Sequence, residues 1–303
     1  MSDTTQGGVC GVYEKRLYSK WFIMPAGIVY TVLFALPVVV GFYAAMTDWN
    51  DFSDKINFIG LKNFQYIFQE DIKTYWNLLK NTIVYTVWAT ILKITVGLAL
   101  ALFMNMRLKT RNLLRSVFFI PYAISPIIIG IIFFALLRPN GPVNGFLSFI
   151  GLEMLASSWL TDFKLAMPSV IIVESWRMIG LNMVIFLAGL QAIDSTYYEA
   201  ADVEGANKIQ TFFNVTIPYI MPAMTIALVL NLVHGLRAFE IVFALTNGGP
   251  GSATELMNTA VFRTFSKGDR GLAAAMSLIV FLITTIVGVT VNRLTSEKEV
   301  ESI

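Results

Sequence analysis

Apolar residues in this chain run continuously for long distances, without the alternation of a half-buried strand or the spaced stripe of a surface helix. Six such runs stand out, at 22–46, 82–104 and 113–137 in the first half and 165–190, 217–238 and 272–291 in the second. Each is roughly 20 to 26 residues long, enough at about 1.5 Å per residue to cross a hydrocarbon layer about 30 Å thick. Lipid offers no hydrogen bonds to a peptide backbone, so each run must satisfy its own N–H and C=O groups as a helix; strands of a barrel would be far shorter. The pattern therefore predicts an all-α, polytopic membrane protein with six transmembrane helices. Pro25 and Pro37 in the first span, and Pro121 and Pro126 in the third, predict kinks where helix hydrogen bonds are lost.

Composition agrees: 56% of the 303 residues are hydrophobic and only 14% charged, incompatible with an ordinary soluble fold. The formal net charge of +2, with basic residues spread along the chain, gives no footing for nucleic acid. Cys10 is the only cysteine, which excludes an intramolecular disulfide and a cysteine-based metal site. The first span follows Lys15, Arg16 and Lys20 as a signal peptide would, but it is too long for such a segment and no A-x-A site closes it, so it is read as retained.

Basic residues in short loops set orientation. Arg107, Lys109, Arg111 and Arg115 crowd the link between spans two and three, on the side of the basic N-terminal segment. That side is expected to be the cytoplasm, which puts both termini there: a segment 1–21, a six-span domain 22–292 and a tail 293–303. The 48–71 stretch and the turn-rich Arg138-Pro139-Asn140-Gly141-Pro142 then lie outside, and the link between spans four and five lies inside.

That inner link, 194–218, reads as two short helices around a glycine. Asp194, Ser195 and Thr196 can cap the first helix and Glu199, Ala200 and Ala201 favour it. Gly205 permits the turn, Ile209, Phe212 and Phe213 form an apolar stripe in the second, and Pro218 is expected to end it as span five begins. By themselves these features describe an amphipathic connector on the membrane face. Glu199-Ala200-Ala201, three residues, Gly205, nine residues, then Val215-Thr216-Ile217-Pro218 resembles the EAA motif of ABC importer permeases, whose usual form is EAA-x3-G-x9-I-x-L-P. The resemblance implies a type I importer permease in which this segment is the coupling helix seated on a separate ATPase. Glu199, Ala200, Ala201, Asp202, Gly205, Ala206 and Pro218 are its implied contact positions.

A second resemblance concerns Phe239-Glu240-Ile241-Val242-Phe243-Ala244-Leu245-Thr246-Asn247-Gly248-Gly249-Pro250, similar to the F-D-x-I-x-x-L-T-x-G-G-P stretch of carbohydrate-uptake permeases, with Glu240 in place of the more frequent Asp. Phe58-Ile59-Gly60-Leu61-Lys62-Asn63-Phe64 is also like the F-x-G-L-x-N-F run in their first outer loop. The likeness is to the first-subunit type, related to maltose, glycerol-phosphate and multiple-sugar permeases. It implies a heterodimer with a second homologous permease in a bacterial cytoplasmic membrane, two ATPase copies carrying the ATP and Mg, an external sugar-binding protein, and no cofactor in this chain. The cargo is then a sugar or oligosaccharide, with a phosphorylated polyol such as glycerol phosphate as the alternative.

Polar residues inside spans point to where a cargo passes, since a charge in a bilayer costs several kcal/mol unless something receives it. Glu174 and Arg177 share a face of span four and can pair with each other. Asn231, His234, Gly235 and Ala238 fall at i, i+3, i+4 and i+7 of span five, a polar-or-small face expected to line a cavity. The resemblance independently implies Glu174, Met178 and Leu181 in span four, and the same four span-five residues, as sugar contacts. Lys93 is expected to pair or snorkel. His234 is the only histidine, so neither a histidine- or cysteine-cluster metal site nor the H-E-x-x-H of an intramembrane protease can be built. No G-x-x-x-x-G-K-[ST] occurs, so no P-loop binds ATP here. An ion-coupled secondary transporter would need its own ion site, and it would leave the 194–218 segment unexplained.

Overall fold

The computed structural model describes residues 20–106 and 109–301; Cys10, Lys15, Arg16 and Arg107 lie outside them. In chain order its main helices are α1 (Trp21–Ala45), α2 (Ile72–Asn105), the bent pair α3 (Arg111–Ala123) and α4 (Pro126–Leu136), α5 (Ala166–Ala192), α6 (Ser195–Val203), the bent pair α7 (Lys208–Tyr219) and α8 (Met221–Leu236), α9 (Glu240–Leu245), α10 (Met257–Ser266) and α11 (Arg270–Glu301). Helices α1, α2, α5 and α11 are each long and apolar enough to cross a bilayer, and each bent pair has the length and composition of one further crossing. Among the described residues the extended pairings are two isolated bridges, Thr47 with Phe58 and Asn50 with Asp269.

Helix α2 begins at Ile72, well before the apolar run at 82. Hydropathy marks the lipid-buried part of a helix and not its end, and the added turns carry Tyr75 and Trp76, the residue types that settle at a membrane interface. The prolines act in two ways. At Pro37 the backbone widens into a π turn over Thr31–Ala35, with the Leu36 N–H reaching back to the Thr31 carbonyl, and α1 continues without a sharp bend. Pro218 is absorbed the same way behind the π turn Phe212–Thr216, so it does not end the helix as its sequence position suggests; α7 runs on to Tyr219 and bends by 67° into α8. Between Pro121 and Pro126 the chain breaks by 94°. Ser125, forced extended by the proline after it, has ψ 134° and stands at the N-cap position of α4.

The centre of the bundle is α5, packed against α2, α3 and α8; two-thirds of its most apolar window is buried, whereas none of α1's is. Near one end Ala101, Met104, Phe186, Leu190 and Ile220 form a core with Leu114 packed on it. Near the other, Ala45, Ile67, Leu78, Met257 and Ala275 do the same. Lipid tails are as apolar as leucine, so helices in a membrane gain little from hydrophobicity and associate through close van der Waals packing at small residues. Glycine makes that approach possible here. A Cβ on Gly235 of α8 would stand 2.8 Å from Thr86 Cγ2 of α2, and one on Gly97 of α2 would stand 2.6 Å from Asn182 Cβ of α5. A Cβ on Gly180 would collide with the Phe118 carbonyl of α3.

Gly235→Leu and Gly180→Val are therefore expected to destabilise the bundle by about 1–3 kcal/mol or more through overpacking. Gly27→Ala, where a Cβ meets nothing within 4 Å, should be silent. Thermal unfolding of the purified chain in detergent measures this; equal midpoints for Gly235→Leu and Gly27→Ala would refute the close-packing account.

Candidate functional site

Two regions carry chemistry, one inside the bundle and one at its end. Inside, a cavity of about 1060 Å³ opens beside α8. The break between α3 and α4 contributes Tyr122, Ala123 and Pro126; α5 contributes Arg177, Met178 and Leu181. From α8 come Thr225, Ile226, Val229, Leu230, Val233 and His234, followed by Arg237 and Glu240 just beyond its end and Asn292 from α11. The wall is thus mainly apolar, with a few polar groups gathered toward the His234 end, the usual make-up of a small-molecule site.

Behind that wall lies a buried charge cluster. Arg177 grips Glu174 with two hydrogen bonds, Nε to Oε2 at 3.0 Å and Nη2 to Oε1 at 2.9 Å. Lys93 Nζ of α2 lies 3.5 Å from Glu174 Oε1, and His234 Nδ1 of α8 lies 3.6 Å from the same oxygen. One carboxylate therefore faces basic groups from three helices, and Lys93 pairs as its sequence context suggests. Beside it, Asn231 Nδ2 donates to Asn182 Oδ1 at 2.6 Å and to its own helix at Ala227 O at 2.7 Å, joining α8 to α5.

The expected cavity face is consequently rotated. Met178, Leu181 and His234 do reach the cavity. Glu174 and Asn231 are fully buried behind it, Gly235 is pressed against Thr86, and Ala238 lies in the core with Tyr85 and Val242. A polar-or-small stripe on a membrane helix can mark a close helix contact as readily as a wet surface, and here it marks the contact. Ala238 is not on the helix at all, since α8 stops at Leu236. Sequence reasoning missed Tyr122, which the Pro121–Pro126 break exposes, and Asn182, whose only signal is an amide in an apolar run.

At the end of the bundle the 194–218 segment is built from successive caps. Asp194 accepts the Thr196 N–H at the start of α6, and this bond holds its carboxyl below the usual carboxylate range. Helix α6 closes in a Schellman turn: Ala206 N–H to Ala201 O at 2.9 Å and Gly205 N–H to Asp202 O at 3.1 Å, with Gly205 at φ +77°. Asn207 and Gln210 then form a reciprocal capping box for α7. The two helices are held together by the Tyr197 and Tyr219 rings, 4.3 Å between centroids, and by Tyr198 Oη to Thr216 Oγ1 at 3.3 Å. Ala201 is buried and Pro218 half-buried; Glu199, Ala200, Asp202 and Gly205 are exposed, and Ala206 is half-exposed. Val203 at 89%, Ile209 at 70% and Phe213 at 62% exposure leave an apolar surface uncovered.

The loop motifs at 58–64 and 239–250 serve as backbone locks. Asn63 Nδ2 donates to Ala45 O and Thr47 O, both at 2.9 Å, satisfying carbonyls that the end of α1 leaves open. In the Gly-Gly-Pro loop Asn247 (φ 49°) and Gly248 (φ 83°) turn the chain, Arg263 Nη2 donates to Asn247 O at 2.8 Å, and Asn81 Nδ2 reaches Ser252 O and Glu255 O.

A helical bundle with a wall-sided internal cavity and a capped, solvent-exposed helical elbow at one end is the build of a membrane permease. The chain belongs to the family of binding-protein-dependent transport system inner membrane components, whose family description matches residues 93–297. It is 32% identical over 290 residues to the probable starch degradation products transport system permease protein AmyD of Thermoanaerobacterium thermosulfurigenes, covering 95% of this chain and 97% of that one. It is 31% identical over 285 residues to the multiple sugar-binding transport system permease protein MsmF of Streptococcus mutans, covering 93% and 97%. Its fold matches, with a TM-score of 0.78 over 91% of this chain and 94% of the other, the crystal structure of a bacterial ABC transporter involved in the import of the acidic polysaccharide alginate, at 24% identity. The chain is therefore a non-catalytic permease component of an ABC importer, an inner-membrane protein.

Glu174→Gln is expected to destabilise the protein by about 3–5 kcal/mol, because Lys93 and Arg177 stay buried without a counter-charge. Adding Lys93→Met should recover part of that loss. Chemical unfolding in detergent tests it, and a double variant no more stable than Glu174→Gln would show that Lys93 is not coupled to the carboxylate.

Proposed function

We propose that this chain is one of two transmembrane subunits of an ATP-driven importer that moves a sugar or oligosaccharide across the bacterial cytoplasmic membrane. A second homologous permease completes the pathway, a pair of ATPases docks on the cytoplasmic side and an external sugar-binding protein delivers the cargo. The observation that carries this is the capped elbow of α6 and α7. It is capped at each turn, exposed and apolar on its outer side, and it continues through a 67° bend into α8, whose side chains form much of the cavity wall. Movement of the elbow by an ATPase is thereby coupled to the wall by a single helix turn, as an alternating-access machine requires.

The orientation is supported by packing. Met104 and Leu114, which flank the basic link, share a core with Leu190 and Ile220, which flank the elbow, so the basic loop and the elbow lie at one end. With basic loops inside, that end faces the cytoplasm, and both termini do as well. The names of the AmyD and MsmF relatives favour a sugar as cargo. Met178, Leu181 and Tyr122 offer apolar contact to ring faces and His234 a hydrogen bond to a hydroxyl. Glu174, Asn231, Gly235 and Ala238 hold that surface from behind.

Gly205→Asp tests the coupling role without disturbing the bundle, since a side chain there meets nothing within 4 Å and strains only the turn. In the reconstituted importer it should lower sugar uptake about tenfold while ATP hydrolysis by the assembled complex persists. Uptake equal to wild type would refute coupling through the elbow.

A further inference from the structure

The charges in and directly behind the cavity do not balance. Lys93, Arg177 and Arg237 are positive, while Glu174 and Glu240 are the only carboxylates there among the described residues. The imbalance is concentrated at Lys93. Its side chain has no exposure, and its Nζ has no hydrogen-bond partner among the described residues. Its nearest anion, Glu174 Oε1 at 3.5 Å, already accepts from Arg177. His234 Nδ1 faces that oxygen at 3.6 Å and is likewise without a hydrogen bond. At the cavity mouth Arg237 is exposed and makes no ion pair among the described residues.

A cation left over beside a carboxylate already gripped by an arginine is costly inside a bilayer, and its field is screened little by the helices around it. The field lines run into the nearest polar space, a cleft with low-dielectric walls, where they favour a negative visitor. That space is the cavity; Arg177 and His234 form the side of it nearest Lys93 and Glu174, and Arg237 and the Glu240 carboxylate also line it.

Building on the importer reading above, we infer that the sugar carried through this cavity is anionic, with a carboxylate or phosphate group that lies against Arg177, His234 and Arg237. A neutral sugar would satisfy the apolar wall and leave the excess charge where it is. An acidic one answers both, its ring against Met178 and Tyr122 and its anionic group toward the basic side.

The test separates the permease's own preference from that of the binding protein. Binding of three matched disaccharides is measured on the permease–ATPase complex in nanodiscs, without binding protein. One carries a hydroxymethyl group at the tested position, one a carboxylate and one a phosphate ester. One or both anionic forms should bind about tenfold more tightly than the neutral one, and their order identifies the anion. Arg237→Gln, at an exposed position that does not threaten folding, should remove most of that preference. Lys93→Met should do the same. Neutral sugar bound as tightly as both anionic forms, or a preference that survives both substitutions, overturns the inference. Proteoliposome uptake with the complete importer then distinguishes its failure from that of the reading beneath it. Import of neutral sugars alone refutes only the charge of the cargo, and import of no saccharide refutes sugar transport itself.

Discussion

The carboxylate of Glu174 is the joint on which the bundle turns. In water, a glutamate meeting a lysine, an arginine and a histidine would be a weak surface feature. Within a bilayer each of these groups costs several kcal/mol alone, so the cluster forms completely or the helices that carry it do not close. Lys93 belongs to α2, Glu174 and Arg177 to α5 and His234 to α8, so satisfying one carboxylate fixes three helices in register. The Asn182–Asn231 amide pair repeats the device within the same α5–α8 interface. Hydrogen-bonded polar groups of this kind contribute only about 1 kcal/mol each to helix association, but they allow few alternative registers.

That register explains the glycines. Gly97, Gly180 and Gly235 sit where backbones meet at distances a methyl group would not permit, each close to a member of the polar cluster or its amide neighbour. The polar contacts choose the alignment, and the glycines let the chains approach until dispersion holds it. The aliphatic surface that remains, on α1 and the outer faces of α2, α4 and α11, is left for lipid.

Much of this was legible in the sequence, and the exceptions share a cause. Apolar runs locate helices because length and continuity are one-dimensional properties. The caps of the elbow were also readable, since Asp194, Gly205 and the neighbouring residues act on backbone atoms a few positions away. The Glu174–Arg177 pair followed from i, i+3 spacing. What spacing could not supply was which side of α8 faces water. Asn231, His234, Gly235 and Ala238 make a coherent face by helical arithmetic, yet three of the four are turned into protein, and Ala238 lies past the end of the helix. Rotation of a helix about its own axis is decided by its neighbours, here Thr86 and Asn182, which are distant in sequence. The action of Pro218 was misjudged for a related reason: a π turn one residue upstream absorbs the missing N–H, and the bend appears at Ile220 instead.

The same features divide the bundle into tightly keyed and interrupted parts. The strong contacts, Glu174 with its three partners and the two asparagines, join α5, α2 and α8 above the elbow. The weak points lie elsewhere: the 94° break between α3 and α4, and the 67° bend between α7 and α8, are where helix hydrogen bonding is already interrupted. Both border the cavity, through Tyr122 and Pro126 at the first and the start of the α8 wall at the second. Broken helices thus border the cavity, while the polar contacts that fix the register lie behind it, on α2, α5 and α8.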